Sequence, residues 1–253
     1  MRTGRIVAIA ALALALCEGP TAAQAQSFWR DLLFGRPAPP PCVLDKCLNP
    51  VQRPAPVDAP VAAPSGNFDF YVLALSWSPG FCATGGAAKA PDQCADGAGL
   101  GFVVHGLWPQ YQHGYPSDCD PSRPVSRVAL DQTRGVYPSE GLARYEWRKH
   151  GTCTGLSPEA YFASVGTARD RIVIPDAFRS PRQARSIAPV DAQRAFAAAN
   201  PGLRPEAMAI GCVRGELEEV RLCLSKDLRQ FVACPEVARA ACRSPAIDLA
   251  PVR

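Results

Sequence analysis

Phe68-Asp-Phe-Tyr-Val-Leu-Ala-Leu75 is an aromatic and aliphatic run of strand length, and its lack of alternation predicts a strand buried on both faces. A second run, Leu100 to Val104, predicts another strand that leads directly into His105. Helical spacing follows. Residues 140 to 150 read as one helix, and a second starts at Ser157, an N-cap with Pro158 at the first helical position. Tyr161, Val165, Ala168 and Ile172 form the apolar stripe of that second helix. Asp191 to Ala199 predicts a third helix with an acidic cap, ended by Asn200-Pro201-Gly202. Beyond it, Ala207 to Val213 and Glu216 to Leu224 read as a hairpin turning at Gly215, with Leu228 to Cys234 as a further strand. Helices grouped between strands, without a regular βαβ alternation, indicate an α+β fold.

The N-terminal part has a different texture. Arg2 and Arg5, the apolar run Ile6 to Leu16 and the small-residue end Ala23-Gln24-Ala25 mark residues 1–25 as an export signal. The apolar run is shorter than the roughly 18 residues of a membrane helix. Cys17 as a lipid-attachment site is disfavoured, because Leu16 precedes it and a small-residue cleavage site follows. Residues 26–66 are dense in proline and alanine, which favours an extended linker or tail. The expected catalytic domain is therefore 67–253, in a protein delivered to the periplasm or secreted.

Export changes the meaning of the cysteines. Of eleven, Cys17 falls in the signal, leaving Cys42, Cys47, Cys82, Cys94, Cys119, Cys153, Cys212, Cys223, Cys234 and Cys242. An even number outside the cytoplasm favours disulfides. Zinc is the rival, yet no Cys-x-x-Cys pair and no histidine cluster accompanies them. Charge adds little: losing Arg2, Arg5 and Glu18 takes the formal +4 to +3, which permits a polyanionic partner without requiring one.

Only three histidines occur, at 105, 113 and 150. His105 lies in Phe102-Val-Val-His-Gly-Leu-Trp-Pro-Gln110, where a strand is expected to give way to a Gly- and Pro-containing loop. His150 lies in Tyr145-Glu-Trp-Arg-Lys-His-Gly-Thr-Cys153, expected to be helical up to Gly151. On that helix Glu146, Lys149 and His150 share one face. The face has two readings, an exposed Glu-to-Lys ion pair beside a solvated histidine, or a reactive group. A zinc-protease helix would need a second histidine, and no Gly-x-Ser-x-Gly nucleophile elbow exists. What remains is acid and base catalysis by two imidazoles. RNA suits it, since its 2′-hydroxyl is an internal nucleophile and the charge gained at phosphorus can be met by Lys149 and a protonated Glu146.

Val104-His-Gly-Leu-Trp-Pro109 and Glu146-Trp-Arg-Lys-His-Gly-Thr-Cys153 resemble the two active-site segments of the ribonuclease T2 family. Leu73 to Cys82 and Asn200 to Met208 resemble further family segments, so the similarity extends from about Asn67 to Cys242. The resemblance implies a central antiparallel sheet flanked by helices and stabilised by disulfides. It implies His150 as general base, His105 as general acid, and Glu146 and Lys149 as transition-state stabilisers. It also implies a monomer without cofactor or metal, cutting single-stranded RNA through a 2′,3′-cyclic phosphate to 3′-phosphate ends. The implied disulfides are Cys119–Cys153, Cys212–Cys242 and Cys223–Cys234, leaving Cys82 with Cys94 and Cys42 with Cys47. Tyr145 and Gln110 depart from the fungal pattern of a histidine and an aspartate, so base preference does not transfer; both are kept as substrate-binding candidates. Trp108 is open to two readings, a base-stacking platform or a core tryptophan. His113, on a Gly- and Pro-flanked loop, reads as solvated. The rival functions are a disulfide-rich binding protein and a metal-dependent phosphodiesterase.

Overall fold

A computed structural model describes residues 65–252. The export signal, the Pro/Ala-rich segment before Ser65 and the Cys42 and Cys47 pair lie outside the described residues.

Six strands form one sheet: β1 (Phe70–Trp77), β2 (Phe102–Gln110), β3 (Arg185–Ile187), β4 (Met208–Val213), β5 (Glu216–Ser225) and β6 (Ile247–Leu249). The order is β2-β1-β5-β6-β3, with β4 on the other edge of β5. All pairings are antiparallel except a single parallel pair, Glu216 with Asp248, that joins β5 to β6. As its unbroken apolar run predicts, every residue of β1 is buried. Its two faces nevertheless serve different ends. Tyr71, Leu73, Leu75 and Trp77 enter the main core, whereas Phe70 and Val72 join a smaller cluster with Cys223, Cys234 and Trp108. Leu73 has no exposure, and truncating such a leucine to alanine costs about 2–5 kcal/mol.

The helices are α1 (Ser78–Ala83), α2 (Arg127–Asp131), α3 (Glu140–Lys149), α4 (Pro158–Asp170), α5 (Pro189–Ala199) and α6 (Pro235–Arg239). Ser139 and Ser157 cap α3 and α4, accepting from the backbone N–H of Leu142 and Ala160. Tyr161, Val165 and Ala168 of the predicted stripe are buried in the main core with Phe162, and Ile172, also buried there, falls just past the end of α4. The third predicted helix starts two residues early. Pro189 sits in its first turn and Asp191 follows inside the helix, so the acidic residue faces the helix dipole without capping an N–H.

The β4–β5 hairpin turns on Arg214 and Gly215, both at positive φ (49° and 86°), as a two-residue loop between twisted strands requires. The strand expected at 228–234 does not form. β1 and β4 already occupy the two edges of β5, and the returning segment makes only a bridge from Phe231 to Leu224 before Pro235 opens α6. Among the described residues, four disulfides join Cys82–Cys94, Cys119–Cys153, Cys212–Cys242 and Cys223–Cys234.

Candidate active site

β2 does not end at His105. It continues to Gln110, and Pro109 is tolerated because β2 is an edge strand with β1 as its partner. The expected strand-to-loop transition is thus corrected to a β-bulge: Ala74 faces Gly106 and Leu75 faces Val104, so His105 has no partner across the ladder. Val104 and Leu107 both belong to the main core although they are three residues apart, which strict alternation forbids. The bulge absorbs the extra residue and lets His105 leave the core side.

Gly106 beside it must be glycine. A Cβ there would collide with the Glu146 carboxylate and the Trp108 indole nitrogen. That close approach is what brings α3 against β2. Glu146, almost fully buried, accepts a hydrogen bond from Trp108 Nε1 at 2.7 Å, and its other oxygen lies 3.8 Å from His105 Nε2. The exposed Glu-to-Lys pair is therefore not the arrangement present. Lys149 donates instead to the Tyr145 hydroxyl at 3.0 Å. His150 is the residue at which α3 ends, its N–H still bonded to the Glu146 carbonyl at 2.9 Å. The chain continues as a 3-10 turn from Gly151, and the Cys119–Cys153 bond ties this turn to the loop after β2.

His105, Trp108, Gln110, Tyr145, Glu146, Lys149 and His150 thus line one cleft of ≈ 300 Å³, joined by Tyr115 and Arg221. Gln110 is buried and donates to the Pro109 carbonyl at 3.0 Å. Trp108 is half-buried, with His105 at its edge (5.2 Å between ring centroids), His150 at 5.4 Å and the Arg221 guanidinium 5.4 Å from its centroid. It is part cleft lining and part of the smaller cluster, so neither sequence reading holds alone. His113 is exposed and does not line the cleft.

Three groups escaped the sequence reading. Tyr115 is exposed, its ring 6.1 Å from His150. Glu219 is buried in β5; one carboxylate oxygen lies 2.6 Å from His105 Nδ1 and the other accepts from Arg221 Nε at 2.7 Å. The signal was present, since Glu219 and Arg221 alternate with Val220 and Leu222, but alternation alone suggests a solvated face.

The two imidazoles have opposite electrostatics. Burial would lower the His105 pKa, but the hydrogen bond and charge of Glu219, with the charge of Glu146, outweigh it and hold it above the ordinary value. Burial pushes His150 down to about 3, helped by the charges of Lys149 and His105; its Nδ1 is buried without a partner among the described residues. Glu146 is raised to about 7, chiefly by burial. The hydrogen bond with Tyr145 raises Lys149, which stays cationic. Among the described residues no group of three or more His, Cys, Asp or Glu side chains is placed to hold a metal ion, and no helix is long and apolar enough to cross a membrane.

His105 on the sheet and His150 at the end of α3 line one cleft with the buried Glu146 carboxyl and the Lys149 ammonium, a set of groups suited to acid–base chemistry on an anionic substrate. The profile of the Ribonuclease T2 family matches residues 68–234, and the chain belongs to that family. It is an endoribonuclease of the T2 type. A ribonuclease of Aeromonas hydrophila is 38% identical over 179 residues, covering 68% of this chain and 79% of the relative. The fold is shared with a ribonuclease-related protein from Calystegia sepium (TM-score 0.58, 20% identity, 74% of this chain and 99% of that one). Ribonuclease NT, solved with 5′-AMP, has a TM-score of 0.53 at 21% identity, covering 73% and 99%.

Proposed function

We propose that the cleft cuts single-stranded RNA by transesterification, with His150 as base and His105 as acid. The observation that carries this reading is the opposed pair of imidazole environments on one cleft. A neutral His150 takes the 2′-hydroxyl proton as the 2′-oxygen bonds to phosphorus. The P–O5′ bond breaks, and His105 gives its proton to the departing 5′-oxygen. Lys149 and the protonated form of Glu146 donate to the phosphoryl oxygens as charge builds on the phosphorane. Water then adds to the 2′,3′-cyclic phosphate with the two roles reversed, leaving a 3′-phosphate. No step needs a metal ion or cofactor. Trp108, Gln110, Tyr145 and the exposed Tyr115 bind substrate, and Tyr115 offers its ring for base stacking.

The same reading assigns residues 1–25 to export, 26–66 to a linker or tail and 67–253 to a monomeric catalytic domain in the periplasm or outside the cell. Four disulfides support an oxidising compartment. The test is incubation of the oxidised mature protein with single-stranded RNA in excess EDTA, followed by mass spectrometry of the product ends. The expected result is 2′,3′-cyclic and 3′-phosphate ends, absent with His150→Ala. Loss of cleavage in EDTA, restored by added metal, would replace this mechanism with a metal-dependent one.

A further inference from the structure

Glu219 lies in β5, two strands away from His105, with β1 between them. The register places Glu219 opposite Ser76 and Arg221 opposite Ala74, which in turn faces Gly106 of β2. At these two positions β1 therefore presents only small side chains, Ala74 and Ser76, between β5 and β2. The Glu219 carboxylate crosses that gap to reach His105 Nδ1 at 2.6 Å, while Arg221 holds its other oxygen at 2.7 Å. A carboxylate this buried is stable only if its oxygens are satisfied by cationic or donor partners, and here both are.

We infer that Glu219 is a positioning residue for RNA cleavage: it accepts the Nδ1–H of His105, fixes that tautomer and leaves Nε2 aimed at the cleft. An imidazole oriented by a buried carboxylate on one nitrogen presents the other for proton transfer. Nε2 is the nitrogen that faces Glu146. The negative charge of Glu219 also favours the imidazolium that an acid must be. The charged and titratable groups that act on His105 are Glu219 and Arg221 on β5, neighbouring Glu218, Glu146 of α3, and His150. Arg221 opposes the effect of Glu219 in part, by its own positive charge.

The inference rests on His105 being the general acid, and two substrates separate the claims. A dinucleoside phosphate has an alkoxide leaving group that needs a proton, whereas a nucleoside 3′-(4-nitrophenyl phosphate) has one that does not. His105→Ala should be far less impaired on the aryl ester than on the dinucleoside phosphate; equal impairment would remove His105 from the acid role and end the underlying reading. With that control passed, Glu219→Gln should lower kcat on the dinucleoside phosphate on the order of tenfold, a part of the 10²–10⁴-fold typical of general acid catalysis, with KM little changed. On the aryl ester the loss should nearly vanish. The ratio of the two rates does not depend on how much variant is folded. The alkaline limb of kcat/KM should move to lower pH, as should the His105 ring titration followed by NMR, and Glu219→Asp should restore part of both shifts. An equal loss on both substrates, or an unmoved His105 ring titration, would overturn the role of Glu219.

Discussion

His105 and His150 are the same side chain in two different solvents. His105 sits on a sheet, partly exposed, flanked by two carboxylates. His150 sits at a helix end, buried, with Lys149 beside it and no partner for Nδ1 among the described residues. The first surroundings favour the charged ring and the second the neutral one, so in the proposed mechanism acid and base are distinguished before substrate arrives. The difference comes from where each backbone delivers its imidazole. A bulge carries His105 to the face of Glu219, whereas α3 delivers His150 into a desolvated corner.

The strongest way to break this comparison is to remove either ring. His105→Ala and His150→Ala should each lower cleavage of single-stranded RNA by about 10²–10⁴-fold with the fold intact, as judged by near-UV circular dichroism. A near-normal rate in either would take that histidine out of the mechanism.

Next comes the link that holds the two regions together. Cys119–Cys153 closes 34 residues and fixes the turn just after His150 relative to the loop after β2. Replacing both cysteines by alanine should cost about 4 kcal/mol in urea unfolding by the chain-entropy relation. It should also reduce kcat under conditions where the protein is still folded; an unchanged kcat would show that the disulfide does not position His150.

Glu146→Gln tests the buried carboxyl beside His105. Glu146 has its pKa raised from 4.5 to about 7 by burial, so from about 4.5 upward the folded protein holds this proton more tightly than the unfolded chain does. Its stabilising contribution is complete below 4.5 and lost as pH rises through about 7. The glutamine variant should therefore be the more stable protein at pH 8, by at most about 3 kcal/mol, and no more stable at pH 4. Its activity should fall, which a pH-resolved melting series and a rate assay together would check.

The smallest effect is on the shape of the pH–rate profile. Because His150 is lowered to about 3, kcat/KM should stay high through the acid range and fall only near that value. On the alkaline side it should fall as Glu146 loses its proton near 7 and as His105 loses its own above the ordinary 6.5. An acid limb near 6.5 would mean that His150 is not desolvated in the free enzyme.

Much of this was legible in the residues. The unbroken run at 68–75, the Ser157-Pro158 helix start and the stripe of Tyr161, Val165 and Ala168 all mark elements that form, because period and capping are local properties. The segment at 228–234 misled, since whether an apolar run becomes a strand depends on a free sheet edge elsewhere. Asp191 misled by two residues because proline at 189 was the stronger start signal.

By itself the sequence determined which side chains could do chemistry: two histidines in dense reactive segments, with Glu146 one helical turn before His150 and Lys149 next to it. Only the tertiary structure decided what each would do. The bulge at His105, the reach of Glu219 across Ala74 and Ser76, and the burial of Glu146 and His150 join residues far apart in the chain. Protonation state follows from desolvation and neighbouring charge, and both belong to the folded molecule alone.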